Sequence, residues 1–221
     1  MFIELVDSLR CLTPHEDTWL VAAVTRMEGR HIIEGTLGCP VCRREYPVRE
    51  ATAWFTSGAE EQADSSSLTS TSATVDDDAS MRAAALLGLG EPGGIALLGG
   101  PWTAFADLAA DRGVSHIVLL NARPSDGSSE RVSSIVVEDR LPFANGSVRA
   151  AGVGGALATP WLIASAAQAL ASRGRLVAPA SAAVPASVHV LARDETEWVA
   201  ERGVIASPPV ALRSTRRLAI E

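Results

Sequence analysis

Apolar and polar positions divide the chain into three regimes. In residues 18–27 and 30–34, β-forming residues alternate or cluster on either side of Met27-Glu28-Gly29-Arg30, which predicts a β-hairpin within a small β-rich module. Residues 56–80 then contain no aromatic residue and scarcely an aliphatic one. Such a stretch buries too little apolar area to offset an ordering cost of about 1–2 kcal/mol per residue, so it reads as a tether. Beyond it, short apolar runs at 95–98, 116–120, 134–137, 148–153 and 175–178 alternate with alanine-rich helical stretches at 103–112 and 161–173. Strand, helix and strand in turn predict right-handed crossovers and a parallel sheet. Residues 188–192 and 204–213 supply later strands, with a helical turn at 195–202 between them. The expected organisation is a module over 1–55, an acidic, serine-rich linker over 56–82 and an α/β, Rossmann-like domain over 83–221, with no internal repeat.

Composition narrows the function classes. With 47% hydrophobic and 20% charged residues among 221, a folded core is expected. A net charge of -7 argues against docking on nucleic acid or an anionic bilayer, both of which need an arginine- or lysine-rich face. All 19 basic residues are arginine, which excludes Schiff-base chemistry and a P-loop lysine. Glu4 and Asp7 interrupt the first apolar stretch, and no basic segment precedes it, so it does not read as a secretory signal. The apolar run at 148–171 is broken by Gly152, Gly154, Gly155 and Pro160, so no transmembrane segment is expected. A cytoplasmic location follows, with docking on the cytoplasmic face of a membrane complex left open through protein contacts. Arg213, Arg216 and Arg217 form a local basic cluster that reads as a solvated tail or as a contact for an acidic partner.

Cys39-Pro40-Val41-Cys42 is a knuckle whose tight turn lets two thiolates converge on one tetrahedral ion. Cys11 is the remaining cysteine, and His15 follows it after three residues, so a Cys3His set of Cys11, His15, Cys39 and Cys42 can close if the hairpin folds back. Zinc is the expected metal. Glu16 or Asp17 is the candidate to orient His15 or replace it. A redox pair is disfavoured because Arg43, Arg44 and Pro47 follow the motif where a thioredoxin-like helix would open, and a relic site without metal is the other alternative.

Leu9-Arg10-Cys11, Gly38-Cys39-Pro40-Val41-Cys42 and Tyr46-Pro47-Val48-Arg49-Glu50 resemble the small zinc-ribbon family that activates or accompanies methyltransferases. The resemblance covers about the first 55 residues and implies an interaction and stability element rather than a catalyst. Asp139-Arg140-Leu141-Pro142-Phe143-Ala144-Asn145-Gly146-Ser147-Val148 resembles the segment before the fourth strand of class I S-adenosylmethionine-dependent methyltransferases. Ala169-Leu170-Ala171-Ser172-Arg173-Gly174-Arg175-Leu176-Val177 resembles their helix, glycine turn and fifth strand.

Against that family, the cofactor loop departs. Where members carry an acid and G-x-G-x-G, this chain has Leu97 and then Gly99, Pro101 and Thr103. Pro101 lacks an N–H, and Trp102 puts a large ring where backbone would need to be open. The ribose-binding acid is replaced by Asn121. Gly99, Gly100, Asn121 and Asp139 are the residual cofactor contacts, the last with Glu138 as a candidate for an adenine amino group. Losing charged hydrogen bonds worth about 1.5–3 kcal/mol each argues against tight S-adenosylmethionine binding. No histidine has a visible catalytic partner, so no catalytic residue is assigned.

The expected function is therefore a non-catalytic adaptor or structural subunit holding protein partners. The alternatives are a methyltransferase with an atypical cofactor loop and an activator of another methyltransferase. Trp19, Trp54, Trp102, Trp161 and Trp198 are expected to divide between core and contact surfaces, with Trp102 and Trp161 candidates to line a residual pocket.

Overall fold

The computed structural model describes residues 1–56, 68–70, 75–124 and 130–204. The strands are β1 (Val21–Glu28), β2 (His31–Gly38), β3 (Glu45–Arg49), β4 (Thr52–Phe55), β5 (Thr69–Ser70), β6 (Ile95–Gly99), β7 (His116–Leu120), β8 (Ala122–Arg123), β9 (Val132–Val137), β10 (Val148–Val153), β11 (Leu170–Pro179), β12 (Val188–Arg193) and β13 (Glu197–Arg202). The α-helices are α1 (Asp77–Leu87), α2 (Ala106–Asp111) and α3 (Pro160–Ala169). Eleven strands form one sheet in the order β1-β2-β3-β4-β9-β7-β6-β10-β11-β13-β12. From β4 to β11 the neighbours run parallel, whereas β1–β4 and the β11-β13-β12 edge are antiparallel. The sheet is mixed, with the expected Rossmann-like parallel arrangement in its central strands, and its order reverses at the β6–β10 junction. Ligands of open α/β sheets bind at such a switch point, outside the carboxyl ends of the strands.

The N-terminal strands continue the same sheet, because β4 lies parallel to β9 with Ala53 beside Ile135 and Phe55 beside Val137. A strand buried on both sides reads as an unbroken apolar run. Accordingly, all of β4 and β9 is buried, including Thr52, Ser133 and Ser134. Ser134 Oγ donates to the Ala122 carbonyl, and Ser133 Oγ accepts from the Phe2 N–H.

Three expectations are corrected. Helix α1 begins at Asp77, inside the stretch read as linker to 82. Asp76 caps it, its side chain accepting from Ala79 N at 2.7 Å, so the acids are a helix start and not tether. Residues 57–67 and 71–74 of that linker lie outside the described residues, as do residues 205–221 with most of their expected strand and Arg213, Arg216 and Arg217. Residues 197–202, expected as a helical turn, form strand β13. Asp194 Oδ1 accepts from the N–H groups of Thr196 and Glu197 and builds a turn there, and Trp198 and Ala200 then point into the core on alternate positions. Finally, helix α3 stops at Ala169, and the chain enters β11 directly where a longer helix and glycine turn were expected.

Replacing Asp76 by Ala is expected to cost about 0.5–2 kcal/mol of stability, read by chemical denaturation. No loss would mean that the cap is idle. His116 provides a pH test. Burial, helped by Arg131, lowers its pKa, and its Nδ1 is buried without a hydrogen-bond partner. The unfolded chain therefore takes up the proton first, so stability falls as pH drops through the ordinary histidine value of about 6.5. His116→Phe, which keeps a ring against Phe2, is expected to flatten that slope. An unchanged slope would exclude His116 as its source.

Candidate functional site

Two places carry the predicted chemistry. The first is the cysteine cluster. The β1–β2 hairpin folds back as expected, and one ligand atom from each of Cys11, His15, Cys39 and Cys42 lies within 4.8 Å of the others. Cys11 Sγ is 3.6 Å from Cys42 Sγ, and Cys39 Sγ is 3.4 Å from His15 Nε2. A tetrahedral ion with Zn–S near 2.3 Å places its donors roughly 3.5–3.8 Å apart, so the spacing and the Cys3His donor set fit zinc. All three cysteines are free thiols.

The surroundings prepare these donors. The His15 Nδ1 side faces the Glu16 carbonyl at 2.6 Å, which leaves Nε2 for a metal. That contact, with Cys11 and Cys42 nearby, raises the His15 pKa to about 9 against burial. Burial works to raise the Cys11 pKa, but hydrogen bonds from Tyr46, Thr13 and His15 outweigh it and hold the thiol at about 6. The backbone N–H of Arg44 lowers Cys42, whereas burial raises Cys39. Burial and the Cys11 contact push Tyr46 up to about 12. Tyr46 lies 3.4 Å from Cys11 Sγ and accepts from Leu12 N at 3.0 Å, pinning the first ligand loop to β3. Tyr46 was visible in the sequence only through the ribbon resemblance, and its hydrogen bonds to residues far away in the chain carried no local signal.

The second place is the switch-point crevice. Gly99 and Gly100 stand at the end of β6, and residues 100–105 form a 3-10 turn before α2. Gly100 has φ +64, and a Cβ there would lie 2.3 Å from the Gly154 carbonyl oxygen, so the loop is pressed onto the end of β10. Trp102, only 8% exposed, lies on Gly152, where a Cβ would come within 2.5 Å of the indole. Pro101 lies over Gly154 less tightly, with a Cβ there 3.1 Å from its Cδ. A cavity of about 300 Å3 remains beside them, bordered by Leu86, Phe105 and Glu197. That is the lower end of the size range of small-molecule pockets.

Asn121, expected to offer a hydrogen bond to a hydroxyl, is tied to Val137 through both ends of its amide. Nδ2 donates to the Val137 carbonyl at 2.9 Å, and Oδ1 accepts from Val137 N at 2.8 Å. Asp139 is exposed and lines a different groove, of about 700 Å3, together with Arg10, Cys11, His15 and Trp161. The four residual cofactor contacts therefore do not face one cavity. Trp102 and Trp161 likewise line separate hollows. Trp54, Trp102 and Trp198 are buried, whereas Trp19 and Trp161 are 53% and 73% exposed. Among the described residues no helix is long and apolar enough to cross a membrane.

No family model and no curated protein matches the chain. Solved structures that resemble it include an S-adenosylmethionine-dependent methyltransferase from Mesorhizobium loti, 21% identical with a TM-score of 0.37 over 55% of this chain and 64% of that one. Another is a putative sarcosine dimethylglycine methyltransferase from Galdieria sulphuraria, 19% identical with a TM-score of 0.36 over 46% and 45%. A third is the antibiotic-resistance methyltransferase Kmr, 12% identical with a TM-score of 0.39 over 62% and 98%. The chain thus spans less than two thirds of the first two.

Proposed function

We propose that the protein is a non-catalytic adaptor, in which a zinc-held ribbon and a methyltransferase-like sheet act as one rigid body for gripping protein partners. The observation that carries this reading is the filling of the switch-point crevice by Pro101 and Trp102 against Gly152 and Gly154. Asn121 adds to it, since an amide tied to Val137 through both its nitrogen and its oxygen is held against β9 and carries no charge to offer a ribose. Zinc would be held by Cys11, His15, Cys39 and Cys42, fixing the first ligand loop to the knuckle and supplying stability rather than chemistry.

The role of activator for a separate methyltransferase is disfavoured, because the inner edge of the ribbon at β4 already pairs with β9 of its own chain. The surface offered to partners is the metal-side groove. Trp161 and Arg10 line it, and Trp19 stacks against the Arg10 guanidinium. Exposed tryptophans and arginines are the residues that most often anchor interfaces.

The test is native purification of the wild type and a Trp19→Glu/Trp161→Glu variant, with quantitative mass spectrometry and assay of methyl transfer from labelled S-adenosylmethionine. A stoichiometric partner lost in the variant and no transfer are expected. Transfer to any acceptor, or a partner set unchanged by the variant, would contradict the adaptor reading.

A further inference from the structure

At the opposite end of the parallel strands from the filled crevice, a cavity of about 960 Å3 opens between the C-terminus of α1, the loop of residues 88–94 and the start of β11. Four arginines line it, Arg112, Arg149, Arg173 and Arg175, against two carboxylates, Glu91 and Glu201. This local excess of positive charge stands out in a chain whose net charge is -7. It arises from residues scattered over more than sixty positions, so no run of basic residues announced it.

The guanidinium groups are met by dipoles, not by acids. Arg149 donates to the carbonyl oxygens of Gly88, Glu91, Pro92 and Gly93, and Arg175 donates to the Ala85 carbonyl at the end of α1. Arg112 and Arg173 hold no side-chain hydrogen bond or ion pair among the described residues. Glu201 faces His189 at 3.8 Å.

Arg173 is placed by an irregularity. Val148 pairs with Leu170 but Ala150 pairs with Arg175, so residues 171–174 bulge out of β11. Arg173 adopts φ +62, a left-handed conformation that side chains other than glycine, asparagine or aspartate seldom take. Such outliers persist where surrounding structure enforces them, and they cluster at ligand-binding positions.

We propose that this cavity binds a small molecule carrying a diphosphate group. Planar guanidinium forks pair with phosphate oxygens in bidentate fashion, and like-signed charge in a cleft draws in counter-ions. Arg149 and Arg175 are fixed by their carbonyl partners and give a preorganised wall. Arg112 and Arg173 are free to close on the ligand. The volume admits more than a single phosphate. The site is independent of the crevice at the other end of the strands, so its outcome and that of the adaptor reading can be told apart.

The test is calorimetric titration of the full-length, zinc-loaded protein with inorganic pyrophosphate, with orthophosphate and phosphoinositide-containing vesicles as parallel arms. Saturable binding of pyrophosphate is expected, with orthophosphate weaker. Arg112→Ala/Arg173→Ala should weaken it by at least about tenfold, the equivalent of about 1.4 kcal/mol. Both side chains are exposed and without partners, so the variant should keep its fold. Glu91→Gln should strengthen binding, a gain that misfolding cannot produce. The proposal is overturned by the absence of saturable binding, by equal affinity in the double variant, by orthophosphate binding as tightly, or by binding to vesicles alone.

Discussion

With zinc loaded on the Cys11, His15, Cys39 and Cys42 cluster, chelating it, or replacing Cys39 by Ala, is expected to remove more than about 5 kcal/mol of folding stability and to unravel the N-terminal strands. Structural zinc in comparable small sites contributes an apparent 10–16 kcal/mol, and a whole domain has only about 5–15 kcal/mol of net stability. The two ligand loops are otherwise held by few bonds, among them Cys11 N to the Thr18 carbonyl, Cys39 N to the Arg44 carbonyl and the Tyr46 hydroxyl. Without an ion, only weak sulfur contacts such as Cys11–Cys42 and Cys39–His15 join the two loops at the cluster. Because β4 lies against β9, the loss should spread into the central sheet rather than stop at the N-terminal strands. Near-ultraviolet circular dichroism during titration with a chelator reads this directly through Trp54, which is buried at that junction. A spectrum and melting temperature indifferent to metal would mean that the cluster is a relic.

Trp102→Ala should destabilise the protein by about 3–5 kcal/mol, the range for emptying a large aromatic side chain from a packed interior. The indole is packed on Gly152 and has Phe105 as a tilted neighbour at 5.6 Å, so its removal leaves a void that the stiff ends of β6 and β10 cannot close. A tryptophan serving as a lid over a ligand would be dispensable in the free protein. Denaturant midpoints of wild type and variant separate the two roles, and a loss below about 1 kcal/mol would assign Trp102 to a lid.

Much of the fold was written locally. The strands at 116–120 and 148–153 were read with their observed boundaries because an apolar run bounded by turn residues is a strong signal for a buried parallel strand. The hairpin was marked by Gly29 between two β-rich runs, and the cysteine spacing pointed to all four residues that converge. The misses have a common cause. Residues 197–202 mix glutamate and alanine with tryptophan and valine, and it is the turn built by Asp194, together with pairing to β11 on one side and β12 on the other, that makes them a strand. That the N-terminal strands would join the α/β sheet was not legible either, since β4 is four residues long and its partner lies about eighty residues further on. The departures at Pro101, Trp102 and Asn121 were visible as residue types. Their consequences needed coordinates, because Gly152, Gly154 and Val137 are distant in sequence.

The adaptor reading requires that Pro101 and Trp102 leave too little of the crevice at the end of β6 to hold the cofactor. Isothermal titration of the metal-loaded, full-length protein with S-adenosylmethionine and S-adenosylhomocysteine tests this most directly. No saturable heat with either compound is the predicted result; micromolar or tighter binding that Gly152→Ala or Trp102→Ala alters would contradict it.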